Sequence, residues 1–337
     1  MNKNKKLLLV SASPHLKTAQ ATSWIMFSVL IALLPSFVAA CYYFGRRALF
    51  VTLISVSFSL GFEYLSRLLM GKLPTVSDLS CVVTGVIIAF CLPVTVPVSM
   101  VAVANFFAIV IVKQCFGGIG LNLVNPAAAA LSFLMVSFNA QMTRFISPLL
   151  SFSQVIPEDA ATVTTALAQL KANGQTPQNI FNLFMGNTAG NIGETSSFLL
   201  LLGGIYLSIR RISNWRIPAA FIGTVALLSL VKSFSFTFMF AQLFSGTLFL
   251  AAFFMAVDPV TTPESKYGKT VFGVVCGVIT CYIRFYGTYT EGAVLAVLIA
   301  NIMTPVIDSL LPIRYEGVRA EKKKKLSDFL PKRRKAQ

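Results

Sequence analysis

The chain alternates long apolar runs with short polar interruptions, and the apolar runs have the length of membrane-spanning helices. A helix that crosses a bilayer needs about 20 mostly apolar residues. The candidate spans are 24–43, 49–69, 79–95, 97–115, 122–138, 196–210, 217–233, 238–257, 268–284 and 290–311. The first has no small-residue cleavage site behind it, so it is expected to stay in the membrane as a helix. The pattern predicts an all-α integral membrane protein with about ten transmembrane helices.

Two of the apolar runs end in the same P-V-T-x-P sequence, at 93–97 and 259–263. These runs are the third and eighth spans, which occupy equivalent positions in two halves of five spans. Because five is odd, the halves lie in opposite orientations, as in many transporters. Proline interrupts a helix, and irregular backbone at membrane depth lies against protein or a water-filled cavity. We therefore expect two inverted five-helix repeats with broken helices, at 24–138 and 196–311.

The distribution of charge predicts the orientation of these helices. The chain has 28 Lys and Arg against 12 Asp and Glu, and its mean hydropathy is +0.74. Basic residues collect in the amino-terminal segment 1–23 and in the tail 312–337, so both termini are expected on the cytoplasmic side. The connection 139–195 has more acidic than basic residues and is expected on the extracytoplasmic side, although Arg46 and Arg47 count against this orientation.

The basic tail has two interpretations that fit a membrane protein. It either fixes the topology alone or also binds anionic membrane lipid, since each basic residue near such a surface contributes about 1 kcal/mol. Both interpretations explain the net charge of +16 without a nucleic-acid partner.

Acidic side chains within or at the ends of the apolar spans need partners or water, because an unpaired charge there costs several kcal/mol. They are Glu63, Asp258, Glu291 and Asp308. Glu63 and Arg67 are four residues apart on one helix face, and pairing between them is one explanation. Asp258 precedes the second P-V-T-x-P sequence and is expected to cap or orient that break. Glu63, Asp258 and Glu291 are candidates for an ion pathway.

The cysteines and the histidine do not indicate a metal, haem or catalytic site in this chain. The six cysteines are scattered through apolar spans with no C-x-x-C pair, which argues against a metal or iron–sulfur site in this chain. His15 is the only histidine, so a multi-histidine haem or zinc site is excluded, and a Ser-His-Asp site is not expected. No glycine-rich dinucleotide-binding fingerprint follows a strand.

Two polar segments are candidate binding sites. G-G-I-G-L-N-L-V-N-P at 117–126 carries Asn122 and Asn125, whose three-residue spacing would put two amides on one helix face. The alternative is a turn whose small residues serve only helix packing. The second segment, P-E-D-A-A-T-V-T-T-A-L at 157–167, has the composition of a capped surface helix.

Several long motifs in a fixed order carry a family resemblance. They are S-P-H at 13–15, G-G-I-G-L-N-L-V-N-P-A at 117–127, N-I-G-E-T-S-S at 191–197, F-F-M-A-V-D-P-V-T-T-P at 253–263, Y-T-E-G at 289–292 and T-P-V-I-D at 304–308. With them the chain resembles the D-type membrane component of the Rnf complex, the ion-translocating ferredoxin:NAD oxidoreductase of bacterial cytoplasmic membranes. It more distantly resembles the B-type membrane component of the sodium-pumping NADH:quinone reductase. The resemblance implies a membrane flavoprotein subunit that relays electrons and is coupled to Na+ or H+ export, with no complete activity of its own.

The resemblance also implies a covalent flavin. Members of the family carry FMN joined through its phosphate to a threonine hydroxyl, which a flavin transferase installs at a D-x-x-[ST]-G-A-[ST] pattern. That pattern falls here on Asp159, Thr162 and Thr165, and it makes Thr165 the expected acceptor. Val163 and Thr164 stand where the family usually has Gly-Ala, so the hydroxyls of Thr162 and Thr164 remain alternatives.

A second flavin and several partners are implied in the same way. Riboflavin is expected to bind noncovalently near Asn122 and Asn125. Other subunits, namely a G-type flavoprotein, A-, E- and B-type iron–sulfur subunits and a C-type NADH-binding subunit, are expected to handle ferredoxin and NAD. The competing hypothesis is a secondary transporter or channel for a small polar solute, because inverted repeats with broken helices host either function. The threonine cluster discriminates, since a channel has no need of it.

Overall fold

The computed structural model describes residues 22–73, 75–148, 162–174, 179–194 and 196–312. Within these ranges the regular secondary structure is helical and contains no strands. Asp159, His15 and the basic tail lie outside the described residues, so the expectations attached to them stay predictions.

The first half consists of five apolar helices. They are α1 (Thr22–Phe44), α2 (Arg46–Leu69), α3 (Ser80–Phe90), α4 (Val98–Gln114) and α5 (Pro126–Ser137). The first two are long enough to cross a membrane, and the other three are shorter apolar helices. The last two turns of α4, Phe107–Gln114, are wound as a π-helix.

In the described part of the long polar connection between the halves, a one-turn helix (Asn139–Met142) is followed by two longer ones. The two longer helices are α6 (Ala166–Asn173) and α7 (Ile180–Met185). Both end at a glycine with positive φ, Gly174 and Gly186, which is the left-handed conformation that commonly terminates a helix.

The second half also consists of apolar helices. Its helices are α8 (Ser197–Ile209), α9 (Arg216–Ser233), α10 (Phe236–Phe244), α11 (Leu248–Met255), α12 (Lys266–Tyr286) and α13 (Ala293–Leu310). Helices α10 and α11 meet at an angle of 64°, and together they form either one broken span or a re-entrant loop. Each predicted span thus coincides with an apolar helix or a bent pair, which confirms the all-α, multi-pass class.

Both P-V-T-x-P sequences separate helices, as predicted. The first lies between α3 and α4, and the second lies between α11 and α12. The peptide groups of the first break are paired within the protein, because Ile192 N–H donates to Leu92 O (3.0 Å) and Gly193 N–H donates to Phe90 O (2.8 Å). A Cβ on Gly193 would overlap the Phe90 side chain, so only glycine allows this approach. The segment before α8 therefore closes the break in α3.

Helices of the two halves pack against each other, α1 against α8 and α5 against α13. The approach of α8 to α1 depends on a small residue, since a Cβ on Gly203 would overlap the Ala32 carbonyl oxygen. Small residues at such crossings let helices come close enough for van der Waals packing in a membrane.

A buried ion pair joins α2 to the π-helical end of α4. Lys113 Nζ lies 3.0 Å from Glu63 Oε2, and both side chains are almost inaccessible. Thr75 Oγ1 donates to Glu63 Oε1 (2.6 Å), and Lys113 Nζ also donates to Ser80 Oγ (2.8 Å). The suggested pairing of Glu63 with Arg67 is wrong. A π-turn changes which residues face inward, and an ordinary 3.6-residue period does not reveal that change.

We expect Glu63→Leu to destabilise the protein by about 3–5 kcal/mol, because it leaves the Lys113 ammonium buried without its counter-charge. The double variant Glu63→Leu/Lys113→Met removes both charges and should recover most of that loss. Denaturant unfolding in detergent micelles measures both free energies. A double variant as unstable as the single one would contradict this account of the pair.

Candidate functional site

A cavity of about 390 Å³ lies between the two halves. Its volume falls in the range of small-molecule binding sites. Helices α1 and α3, Lys113 of α4 and the glycine-rich segment before α5 line it from the first half. The ends of α8 and α11 and the second break line it from the second half. Phe253 and Phe254 supply aromatic surface, and Lys113, Asn122 and Asp258 supply polar groups.

The two asparagines of the glycine-rich segment reach this cavity but have different surroundings. Asn125 caps α5, because its Oδ1 accepts from the backbone N–H groups of Ala127 (3.0 Å) and Ala128 (3.2 Å). Its Nδ2 donates to Met255 O (3.2 Å), which ties the first half to the second break. The Oδ1 of Asn122, in contrast, is buried and has no hydrogen-bond partner among the described residues.

The predicted placement of these asparagines on one helix face is wrong, since both precede the first residue of α5. Gly117, Gly118 and Gly120 have positive φ, which winds the segment into a turn and not a helix. The two amides still line one cavity because the turn folds back on itself.

Asp258 is the least constrained of the predicted ion-pathway residues. Its Oδ1 accepts from Val260 N–H (3.3 Å) inside the second break. The ion pair between Lys113 and Glu63 is the one found among the described residues, so Asp258 has no cationic partner within them.

Glu291 lies in a second polar centre, at the bend between α10 and α11. The Oε2 of Glu291 accepts from Thr247 Oγ1 (2.8 Å), and Thr247 N–H lies 3.3 Å from each carboxylate oxygen. Nearby, the buried Arg284 donates to the carbonyl oxygens of Gln242 (2.6 Å) and Ser245 (3.1 Å). Glu291 also borders a smaller cavity of about 100 Å³, where Asn191 Oδ1 is buried without a partner.

Sequence reasoning did not single out Glu194, although it belongs to the N-I-G-E motif. Its carboxylate accepts from the side chain (2.9 Å) and the backbone N–H (3.2 Å) of Asn191. Glu194 and Thr165 line the same small pocket beside Ser245. The available signal was a single carboxylate in a short polar stretch directly before an apolar span.

Thr165 is the N-cap of α6, and its Oγ1 accepts from Ala168 N–H (3.3 Å). Its side chain is only 9% exposed, whereas Thr162 and Thr164 are exposed. A cleft of about 310 Å³ lies beside it and is lined by Thr164, Ala166 and several amide side chains. The amides of this cleft are Gln169, Asn179, Asn182 and Asn187.

Lys171 anchors α6 to the second half. Its Nζ donates to the carbonyl oxygens of Gly287 and Tyr289, both at 2.6 Å, in the loop that leads to Glu291. Burial lowers the pKa of the Lys171 ammonium, and the positive charge of Lys232 lowers it further. These hydrogen bonds therefore lose their charge assistance at a lower pH than those of an exposed lysine would.

A row of phenyl rings connects the surroundings of Thr165 with the large cavity. The ring centroids of Phe244 and Phe249 are 6.0 Å apart, and those of Phe249 and Phe253 are 6.1 Å apart. Phe244 lines the pocket at Thr165, and Phe253 lines the large cavity. The predicted site residues therefore fall into two groups, joined through the core of α10 and α11.

Comparisons with known proteins agree with the motifs. The family model described as "NQR2, RnfD, RnfE family" matches residues 9–316. The D-type component of a sodium-translocating ferredoxin:NAD oxidoreductase complex of Acetobacterium woodii is 40% identical, over 95% of this chain and 98% of the relative. The D-type component of a proton-translocating ferredoxin:NAD oxidoreductase complex of Clostridium ljungdahlii is 36% identical, over 92% of this chain and 97% of the relative. The D-type component of an ion-translocating oxidoreductase complex of Mannheimia succiniciproducens is 36% identical, over 91% and 97%.

We expect Lys171→Met to loosen α6, because it removes two hydrogen bonds that hold this helix to the second half. Hydrogen exchange of the α6 amides should rise at least about tenfold, which is the effect of losing one of the two charge-assisted hydrogen bonds. Lys72→Met, which alters an exposed lysine away from α6, is the matched control. Unchanged α6 exchange in Lys171→Met would show that the contact does not anchor the helix.

Proposed function

Because the chain belongs to the NQR2, RnfD, RnfE family, we propose that it relays electrons through FMN bound covalently at Thr165, as the D-type component of an ion-translocating ferredoxin:NAD oxidoreductase complex. In this role the chain is one subunit of an oxidoreductase, and its electron transfer is coupled to the export of Na+ or H+. The observation that carries the proposal is the position of Thr165, at the start of a helix and beside an amide-lined cleft.

The start of α6 suits a phosphate joined to Thr165. The first N–H groups of a helix have no partner within the helix, and they favour negative charge. Thr165 Oγ1 already lies beside one of them, that of Ala168. A phosphate on this oxygen would meet the same donors, which is the usual arrangement for anions at helix N-termini.

The cleft beside Thr165 suits the flavin ring. Asn179, Asn182 and Asn187 offer amide donors and acceptors, and Gln169 offers another from α6. FMN held there supplies one-electron chemistry, while the protein contributes position and electrostatics. Thr164 Oγ1 is more exposed than Thr165 Oγ1, and it accepts a hydrogen bond from Gln169 Nε2 (3.1 Å). Thr164 therefore remains an alternative site for FMN attachment.

The large cavity suits the second, noncovalent flavin, riboflavin. The unpartnered Asn122 Oδ1 offers an acceptor to a ligand hydroxyl or N–H group, and Phe253 and Phe254 offer apolar surface. Asn125 is occupied by its capping contacts, so it shapes the cavity and leaves ligand recognition to Asn122.

The proposed orientation places both termini in the cytoplasm and Thr165 on the extracytoplasmic face of a bacterial cytoplasmic membrane. Electrons would arrive from a G-type flavoprotein subunit and leave toward the other subunits of the complex, after a flavin transferase has matured the chain. For ion passage, Asp258 is favoured over Glu63 and Glu291, because Lys113 and Thr75 hold Glu63 and Thr247 holds Glu291.

A transporter or channel for a small polar solute is the second candidate. The cavity between two halves with broken helices supports it, since substrate sites of transporters lie at such interfaces. Thr165 and its cleft have no role in that hypothesis, so covalent flavin at Thr165 discriminates between the two.

We expect the chain coexpressed with a flavin transferase to give a fluorescent band on a denaturing gel, and Thr165→Val to abolish it. Thr164→Val is the matched control and should keep the band, because the threonines are neighbours but only Thr165 caps α6. If the band is lost in Thr164→Val and survives in Thr165→Val, the threonine that carries FMN is Thr164 and not Thr165. No band from the unaltered chain would contradict the proposal.

We also expect Asn122→Leu to weaken riboflavin binding to the purified chain about tenfold or more, through the loss of a buried hydrogen bond. Flavin fluorescence titration measures the affinity, with Asn187→Leu, from the cleft beside Thr165, as the control. Equal affinities of the unaltered chain and Asn122→Leu would remove Asn122 from the binding site.

A further inference from the structure

The charged groups around the large cavity leave one carboxylate uncompensated. Among the described residues that line the cavity, the one basic side chain is Lys113, and its charge is balanced by the ion pair with Glu63. Asp258 lines the same cavity and accepts only the Val260 N–H. The described part of the cavity lining, taken together with Glu63, therefore carries a net negative charge.

Asp258 is less deeply buried than Lys113. The next residue, Pro259, is exposed, whereas Lys113 is 2% exposed. Two of the three donors of the Lys113 ammonium are used by Glu63 and Ser80. The buried ammonium thus has one donor left for an anion, so it adds little attraction for one.

We propose that Asp258 makes this cavity select a flavin that has no phosphate group, because its carboxylate repels the phosphate of FMN. The inference rests on the proposed binding of a flavin in this cavity. It gives the chain a means of keeping two flavins apart: the helix start at Thr165 favours a phosphate, and the large cavity rejects one.

The repulsion acts on the phosphate and leaves the ring contacts alone. Riboflavin and FMN share the isoalloxazine ring and the ribityl chain, so Asn122 and the phenyl rings contact both ligands equally. The phosphate adds up to two negative charges near the Asp258 carboxylate. In a partly buried site such charges interact much more strongly than in water, and salt screens them incompletely.

The test uses the full-length chain, purified in detergent from a host without flavin transferase so that Thr165 stays unmodified. Riboflavin and FMN are titrated separately while flavin fluorescence is recorded, and the binding that survives in Asn122→Leu is subtracted, so that flavin bound in the cleft beside Thr165 is not counted. We expect the unaltered chain to bind riboflavin at least about tenfold more tightly than FMN, as one charge repulsion in a partly buried site gives. Asp258→Asn should bring the two affinities to within about threefold by tightening FMN binding, with riboflavin binding unchanged.

Two matched variants separate charge from shape. Asp258→Glu keeps the charge and should keep the preference for riboflavin. Asp78→Asn removes a carboxylate that does not line the cavity and should also keep it. Raising the salt concentration should narrow the preference in the unaltered chain and leave Asp258→Asn unaffected.

The outcomes distinguish this inference from the proposed function beneath it. Saturable riboflavin binding with equal FMN affinity in the unaltered chain, or an unchanged preference in Asp258→Asn, would overturn the role of Asp258 alone. The absence of saturable riboflavin binding to the unaltered chain would overturn the flavin assignment of the cavity as well.

Discussion

Every peptide group that the broken helices release inside the membrane needs a hydrogen-bond partner from the protein, because lipid supplies none. The break after α3 obtains its partners from the backbone of Ile192 and Gly193. At the break after α11, the Met255 carbonyl oxygen accepts from the Asn125 side chain. Each break is thus bound to a segment distant in sequence, and these segments are the ones that carry the candidate site residues.

The same constraint explains how charges are accommodated. Glu63 is neutralised by Lys113, Glu291 is bound by Thr247, and Arg284 donates to carbonyl oxygens at the bend between α10 and α11. These groups fix the ends and bends of helices, so their first role is structural. Asp258 differs from these groups, because its carboxylate lines a cavity and has no cationic partner among the described residues. A ligand or ion in that cavity would therefore experience its charge directly.

The sequence predicts the helices well and their contacts poorly. Apolar runs and proline pairs mark the spans and both breaks, since helix length and interruption are local properties. The partner of Glu63 is 50 residues away and lies on a π-helical turn, so the spacing of charges on α2 suggested Arg67 in its place. Positive φ at three glycines moves Asn122 and Asn125 off the helix, and only their shared cavity remains as expected. Glu194 was overlooked because its partner Asn191 lies outside any regular element.

Mass spectrometry of the mature chain tests most directly whether Thr165 carries FMN. Cleavage after Arg144 and Lys171 releases one peptide that contains all three candidate threonines. We predict that this peptide is heavier by FMN less one water, and that fragmentation places the added mass on Thr165. An unmodified peptide from a chain matured with its flavin transferase would contradict the claim, and so would the added mass on Thr162 or Thr164.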